Sequence, residues 1–399
     1  MFPPCVALLL SSLVGGNVLV VSPTGTYTQI QDAVNAANDG DLVLVHTGTY
    51  DSFTVQAMSL TVVADTGAAV TLQGGVTVSD LASGQRVCLI GLHALGENVW
   101  PSTMPNGLLA QQNLGSLRCE RCDFSAQMDG VDAVLIQSSS DVSFVGCQLT
   151  GGEGPSEFYG GAGARLEDSM ATFFDCTLHG GEGWTSDTPI LPGGNGGEGL
   201  NASGCTIFSS GSSFTGGNGG FGQEYYLIEI TIPEPGYGGA GIDLAGGSLM
   251  SALDCLAQGG AFGDPIPPWS APAVVGDTFT TLSGTKRTMT SANPVRELTN
   301  LSFALHGAGN QSVYLLVGTE TALQWDPIRK ANFLLARPFR TLPVGATNGA
   351  GNLSVTLPLS DLGSGVQSEM FYVQPLFVST GGAQQLGTPI TLAALDQAF

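Results

Sequence analysis

Between residues 28 and 37 the apolar positions Ile30, Ala33, Val34 and Ala37 follow the i, i+3, i+4, i+7 spacing of one helical face, which predicts a short amphipathic helix. No later stretch repeats that period. From 38–49 (NDGDLVLVHTGT) to about residue 264 the apolar positions alternate with period two in short runs broken by glycine-rich turns, the pattern of consecutive β-strands. Segments 142–154 (VSFVGCQLTGGEG), 171–183 (ATFFDCTLHGGEG), 206–219 (TIFSSGSSFTGGNG) and 250–263 (MSALDCLAQGGAFG) align as copies of one unit, with weaker copies at 88–96 and 119–126. The position of Leu92, Cys122, Cys147, Cys176, Gly211 and Cys255 recurs after 30, 25, 29, 35 and 44 residues. The smallest step suits one coil of a three-sided solenoid, and the longer steps are the same coil with an insertion. A single coil cannot bury its inward side chains, so stacking on the next coil is what makes the unit stable.

The recurring cysteine reads as an inward ladder. Parallel strands about 4.7–4.9 Å apart lie within disulfide reach, so buried thiols and coil-to-coil bridges are both compatible with it. A metal cluster is disfavoured because Cys119 and Cys122 have no partner pair.

Residues 27–50 (YTQIQDAVNAANDGDLVLVHTGTY) resemble the N-terminal cap and first coil of pectin-lyase-like right-handed parallel β-helix proteins, and 138–152 (SSSDVSFVGCQLTGG) is similar to the generic coil of that superfamily. The resemblance implies an all-β chain: a right-handed parallel β-helix (solenoid) of seven or eight coils with a short N-terminal capping helix. It does not choose among the lyases, hydrolases, epimerases, adhesins and scaffolds built on that fold. Residues 263–272 (GDPIPPWSAP) interrupt the repeat, and alternating runs at 299–317, 352–359 and 370–378 predict a C-terminal antiparallel β-sandwich that would cap the last coil. The expected division is 1–16 signal peptide, 17–264 β-helix, 265–275 proline-rich linker and 276–399 β-sandwich.

Charge narrows the partners. Residues 1–271 hold 4 basic and 26 acidic side chains, whereas 272–399 hold 7 of each. Such a field repels phosphate backbones and anionic lipid, which argues against nucleic acid and peripheral membrane binding. The apolar run 6–10 followed by small residues to Gly16 reads as a secretory signal, and no later run has the roughly 20 apolar residues of a membrane span. Export to the medium or cell surface is therefore expected.

Insertions at 97–105, 155–159, 184–192 and 223–237 fall at one point of successive coils. They would gather Trp100, Phe158, Tyr159, Trp184, Tyr225, Tyr226 and Tyr237 on one face, among carboxylates, as a surface for stacking on sugar rings; folding down over the solenoid flank would use the same rings as cover. Catalytic candidates are few. A lyase base would have to come from the Glu120–Arg121 pair, because residues 1–271 hold only four arginines and no lysine. Asp175 and Asp254 occupy equivalent positions two coils apart, about 9.6 Å, near the separation of an inverting glycosidase. The same position is Gly91, Arg121, Gly146 and Ser210 in other coils, which favours a tight turn. The run 238–243 (GGAGID) matches one calcium-binding nonapeptide start ending at Asp243, but the motif works in tandem and here occurs once. No motif requires a cofactor, and calcium is the cation such acidic loops suit. The expectation is an exported, non-catalytic scaffold contacting carbohydrate, against a glycoside hydrolase, a polysaccharide lyase or a purely adhesive protein.

Overall fold

The computed structural model describes residues 15–96, 106–127, 130–154, 159–185, 192–221, 235–263 and 269–399. Trp100, Phe158, Tyr225, Tyr226 and the expected signal sequence up to residue 14 lie outside that set.

Every coil lays down one strand in each of three parallel sheets. The first sheet stacks Val18–Val21, Asp41–Val45, Leu60–Ala64, Arg86–Ile90, Ser116–Glu120, Asp141–Val145, Met170–Phe174, Thr206–Ser210 and the second halves of Ile242–Leu253 and Val274–Leu282. The second includes Leu92–Gly96, Asp123–Ala126, Gln148–Thr150, Thr177–His179, Ser213–Thr215 and Leu256–Gln258. The third includes Leu108–Gln111, Val134–Gln137, Ala164–Glu167, Leu200–Ser203 and the start of Ile242–Leu253. Eight coils are complete between Asp41 and Gly276. Parallel crossovers of this kind close right-handed. Parallel pairing persists to Leu282, beyond the boundary at 264 read from the prolines.

In the coils from Arg86 onward, two corners each turn on a residue with left-handed backbone. Between the first and second sheets these are Gly91, Arg121, Gly146, Asp175, Gly211 and Asp254, with φ between 51° and 71°. The expected alignment slips by one residue in the Ser210 coil: Gly211 is the corner and Ser212 the rung, since Ser213 pairs with Thr177 and Leu256. The inward ladder is therefore Leu92, Cys122, Cys147, Cys176, Ser212 and Cys255. The seven described cysteines are free thiols, and burial raises those of Cys122 and Cys147 well above the usual range. Each ladder thiol donates to the carbonyl two residues earlier, as Cys176 does to Phe174 at 3.3 Å, so the buried S–H groups are satisfied without oxidation. A second column stacks Phe144 on Phe173 at 5.2 Å with Phe214 edge-on at 6.1 Å. The predicted helix forms at Ile30–Ala36, and buried Ile30, Ala33 and Val34 close the N-terminal end of this core.

Residues 288–395 form an antiparallel sandwich. The strands Thr288–Ser291, Asn300–His306 and Asn352–Pro358 face a larger sheet built on Ser312–Gly318, Ser368–Val378 and Ile390–Leu395. Alternation sends Leu301, Phe303, Val313, Leu315, Phe371 and Leu392 into the sandwich core. The other face of the larger sheet, with Leu316, Tyr372, Ala393 and Leu395, packs on Leu42, Val63, Ile90, Val145, Phe174 and Leu253 of the first solenoid sheet. The sandwich thus lies along the solenoid flank, not over its last coil as expected. The reason is chemical: the first sheet is apolar on both faces, as a parallel sheet covered on both sides must be.

Candidate functional site

The sandwich contact absorbs all three catalytic candidates. Arg121 donates to the carbonyls of Ser291 and Asn293. Asp254 accepts the Lys286 backbone N–H at 3.0 Å. The Lys286 side chain then crosses Gly211 to reach Asp175 at 2.5 Å, and Asp175 also accepts from Thr388 at 2.8 Å. A Cβ on Gly211 would stand 2.3 Å from the Lys286 stem, which explains the glycine between two aspartates. These corner residues fasten the solenoid to the chain that follows it. Glu120 accepts the Thr391 N–H at 2.5 Å inside the same contact.

The corner between the second and third sheets is built differently. There the chain leaves as Gly151-Gly152-Glu153-Gly154, Gly180-Gly181-Glu182-Gly183, Gly216-Gly217-Asn218-Gly219 and Gly259-Gly260-Ala261, and returns as 160–163 (GGAG), 193–199 (GGNGGEG) and 236–241 (GYGGAG). In each triplet one residue bonds the same leg of the next coil, as Gly154 N–H to Glu182 O and Gly183 N–H to Asn218 O. The next bonds across to the opposite leg, in an unbroken relay from Gly152 through Gly161, Gly181, Gly197, Gly217, Gly239 and Gly260. The third points outward. Three residues per turn with no bond inside the strand is the habit of a polyproline II-type helix, and only glycine fits where such helices meet. A Cβ on Gly217 would lie 1.9 Å from the Gly181 oxygen. The result is a lobe of packed glycine backbone projecting from four consecutive coils.

Two rows of side chains decorate the lobe. Glu153, Glu182, Asn218 and Ala261 form one; Glu182 accepts the Asn218 N–H at 2.9 Å, and the Asn218 amide oxygen accepts the Ala261 N–H at 2.7 Å. Beside this row a groove of about 860 Å³ runs across coils, lined also by Gln127, Thr150, His179, Thr215 and Gln258. Its lining holds carboxylates, amides and an imidazole, and no lysine or arginine among the described residues. The second row is Tyr159, Asn195 and Tyr237, held in register by the Tyr159–Asn195 bridge and by the Tyr237 N–H on the Asn195 side chain at 2.7 Å. Tyr159 is 67% exposed and Tyr237 55%, the latter braced edge-on by Phe262 at 5.2 Å. Trp184 is half-buried, and its carbonyl accepts the Gly194 N–H within the lobe.

Phe221, Phe262 and Trp269 also edge this lobe, with Phe221 and Trp269 more than half exposed, and sequence reasoning missed them. The available signal was the GGx period of three, which places each aromatic at the end of a glycine leg. Asp243 is the second residue of a third-sheet strand, paired between Asn201 and Val275, and the glycines before that strand belong to the lobe. No cluster of three metal-binding side chains occurs among the described residues.

No family model matches the chain, and no curated protein matches it. Among solved structures it is similar to a PL6-family alginate lyase at 10% identity and a TM-score of 0.31, over 70% of this chain and 41% of the lyase. The chain thus spans about two fifths of that enzyme. It is also similar to the pectin methylesterase of Aspergillus niger (10% identity, 68% and 87% of the two chains, TM-score 0.25). A third likeness is to the receptor-binding tailspike of bacteriophage Det7 (11%, 94% and 98%, TM-score 0.18). The assignment of fold rests on the register of the coils themselves: the chain folds as a right-handed parallel β-helix with a C-terminal β-sandwich.

Proposed function

We propose that this protein is an exported, non-catalytic β-helix scaffold that holds carbohydrate against its glycine lobe. The observation that carries the reading is the exposed Tyr159–Asn195–Tyr237 row on the return legs of the lobe, whose outgoing legs border a polar groove. Rings held rigidly at the surface stack on sugar faces at low entropic cost, while amides and carboxylates bond hydroxyl groups. The absence of lysine and arginine among the groove residues favours neutral glycans over polyuronates, unless calcium bridges the two. No cofactor enters this reading. The engagement of Asp175, Asp254 and Arg121 by the sandwich supports a binding role over catalysis through those groups.

The test is affinity electrophoresis of the full chain on neutral and acidic polysaccharides, with and without calcium, while new reducing ends and unsaturated uronates are followed. Retarded migration on a neutral glycan, at least tenfold weaker in Tyr159→Ala/Tyr237→Ala, is expected. Unchanged binding by that variant sinks the lobe as the contact face. One observation favours a second reading: Glu153 and Glu182 face the groove one coil apart, about 4.8 Å between backbones, a spacing compatible with a retaining glycosidase pair. Product release abolished by Glu182→Gln would establish that reading in place of ours.

A further inference from the structure

The two ends of the solenoid are finished in opposite ways. At the N-terminal end the helix Ile30–Ala36 seals the core. At the other end the last strand, Val274–Leu282, pairs only with Ile242–Leu253 among the described residues, and its outer edge meets no strand. The chain then doubles back: Lys286 bonds Asp254 and Asp175 on earlier coils, so no ninth coil follows. Among the described residues, nothing covers the ends of the core columns. Ile242, Met250 and Ala252 are buried, yet their partners in the last strand, Val274, Phe279 and Thr281, are half-buried or exposed. Leu256 and Val275 nearby are 62% and 40% exposed.

Proteins that stay monomeric blunt such edges with lysine, proline or short length. This strand turns at Gly276 from the third sheet into the first, and neither part carries lysine or proline. Its one charged group, Asp277, is turned back to accept the N–H groups of Gly247 and Ser248 at 2.7 and 3.1 Å. We propose that the open coil is a self-association surface, taken by a second copy of this chain across a two-fold axis. Stacking in one direction is blocked because the N-terminal helix closes the opposite end, so the contact must be isologous. A two-fold at Thr280 pairs the edges antiparallel, setting Thr278 against Leu282 and Phe279 against Thr281 and leaving Asp277 outside the ladder. Like charges do not meet, and the half-buried ends of both cores cover one another.

Sedimentation equilibrium of the full chain over a hundredfold range of concentration tests this. A species of twice the chain mass is expected, with dissociation at least tenfold more favourable in Thr278→Lys/Thr280→Lys, where the ammonium at position 280 would face its own copy and the one at position 278 would oppose Leu282. Thr280→Cys supplies an independent readout: opposed residues on an antiparallel pair lie within disulfide geometry, so air oxidation should link two chains through position 280. Monomer at every concentration overturns the proposal and leaves the edge to a different partner. A dimer that ignores the lysine pair and forms no link at 280 overturns it as well.

Discussion

Glu120 is buried between the two units, and burial pushes its carboxyl up from 4.5 to about 7 against the opposing pull of the Thr391 N–H and of Arg121 and Arg118. Below pH 4.5 the folded and unfolded chains both hold the proton; between 4.5 and 7 only the folded chain does. Stability from this group is therefore present at acid pH and lost as the pH rises through 7, by about 3 kcal/mol in total. Glu120→Gln keeps an acceptor for Thr391 and removes the titration, so in urea unfolding its advantage over the wild type should grow between pH 5 and pH 8; a constant difference would contradict this account. Lys286→Ala should cost about 1 kcal/mol in the same assay, because the Lys286–Asp175 pair is partly exposed and solvent screens it. The corner aspartates also mark what single residues reveal in sequence. Glycine, arginine, serine and aspartate aligned at one position pointed to a tight turn, and the backbone shows that turn to be left-handed. What the turn side chains hold could not be read, since Lys286 arrives from 111 residues beyond Asp175.

At the scale of the element, the strands and the helix were legible because their apolar periods differ and each coil repeats the last. The glycine legs carry no apolar period at all. Their order comes from backbone groups satisfied in three directions, a pattern that appears only as glycine at two positions of every three. Gly217→Ala should therefore destabilise the chain by at least about 2 kcal/mol in thermal or urea unfolding, because the new methyl meets backbone oxygen that cannot move aside. Gly67→Ala is a useful contrast: that glycine has open space around its missing Cβ but a φ of 75°, so its smaller cost would come from backbone strain alone.

For the whole molecule, the decisive feature is the first sheet. Runs such as 42–45 (LVLV), 87–90 (VCLI) and 173–174 (FF) are apolar without alternation, which in a solenoid strand means cover on both faces. That signal was in the sequence, but the proline-rich break suggested an end cap, and only the register shows which face the sandwich occupies. A chain ended after Leu282 would expose Leu42, Val63, Ile90, Val145, Phe174 and Leu253 together. It should aggregate on expression, or bind a hydrophobic dye strongly, whereas the intact chain should do neither. Soluble, dye-silent protein from that truncation would show the flank contact to be dispensable.

The period of the lobe also governs how it can change length. The return leg 160–163 has four residues and the next, 193–199, has seven, one three-residue turn longer; the following leg keeps the longer frame with Pro235 in the place of Gly193. Each added triplet moves a tip outward by about 9 Å while every side chain keeps its bearing. Insertions of one or two residues would swing an outward group into the glycine seam. The lobe therefore extends like a telescoping boom in fixed notches, so that reach toward a distant surface can vary among descendants of this chain while the solenoid beneath them stays the same.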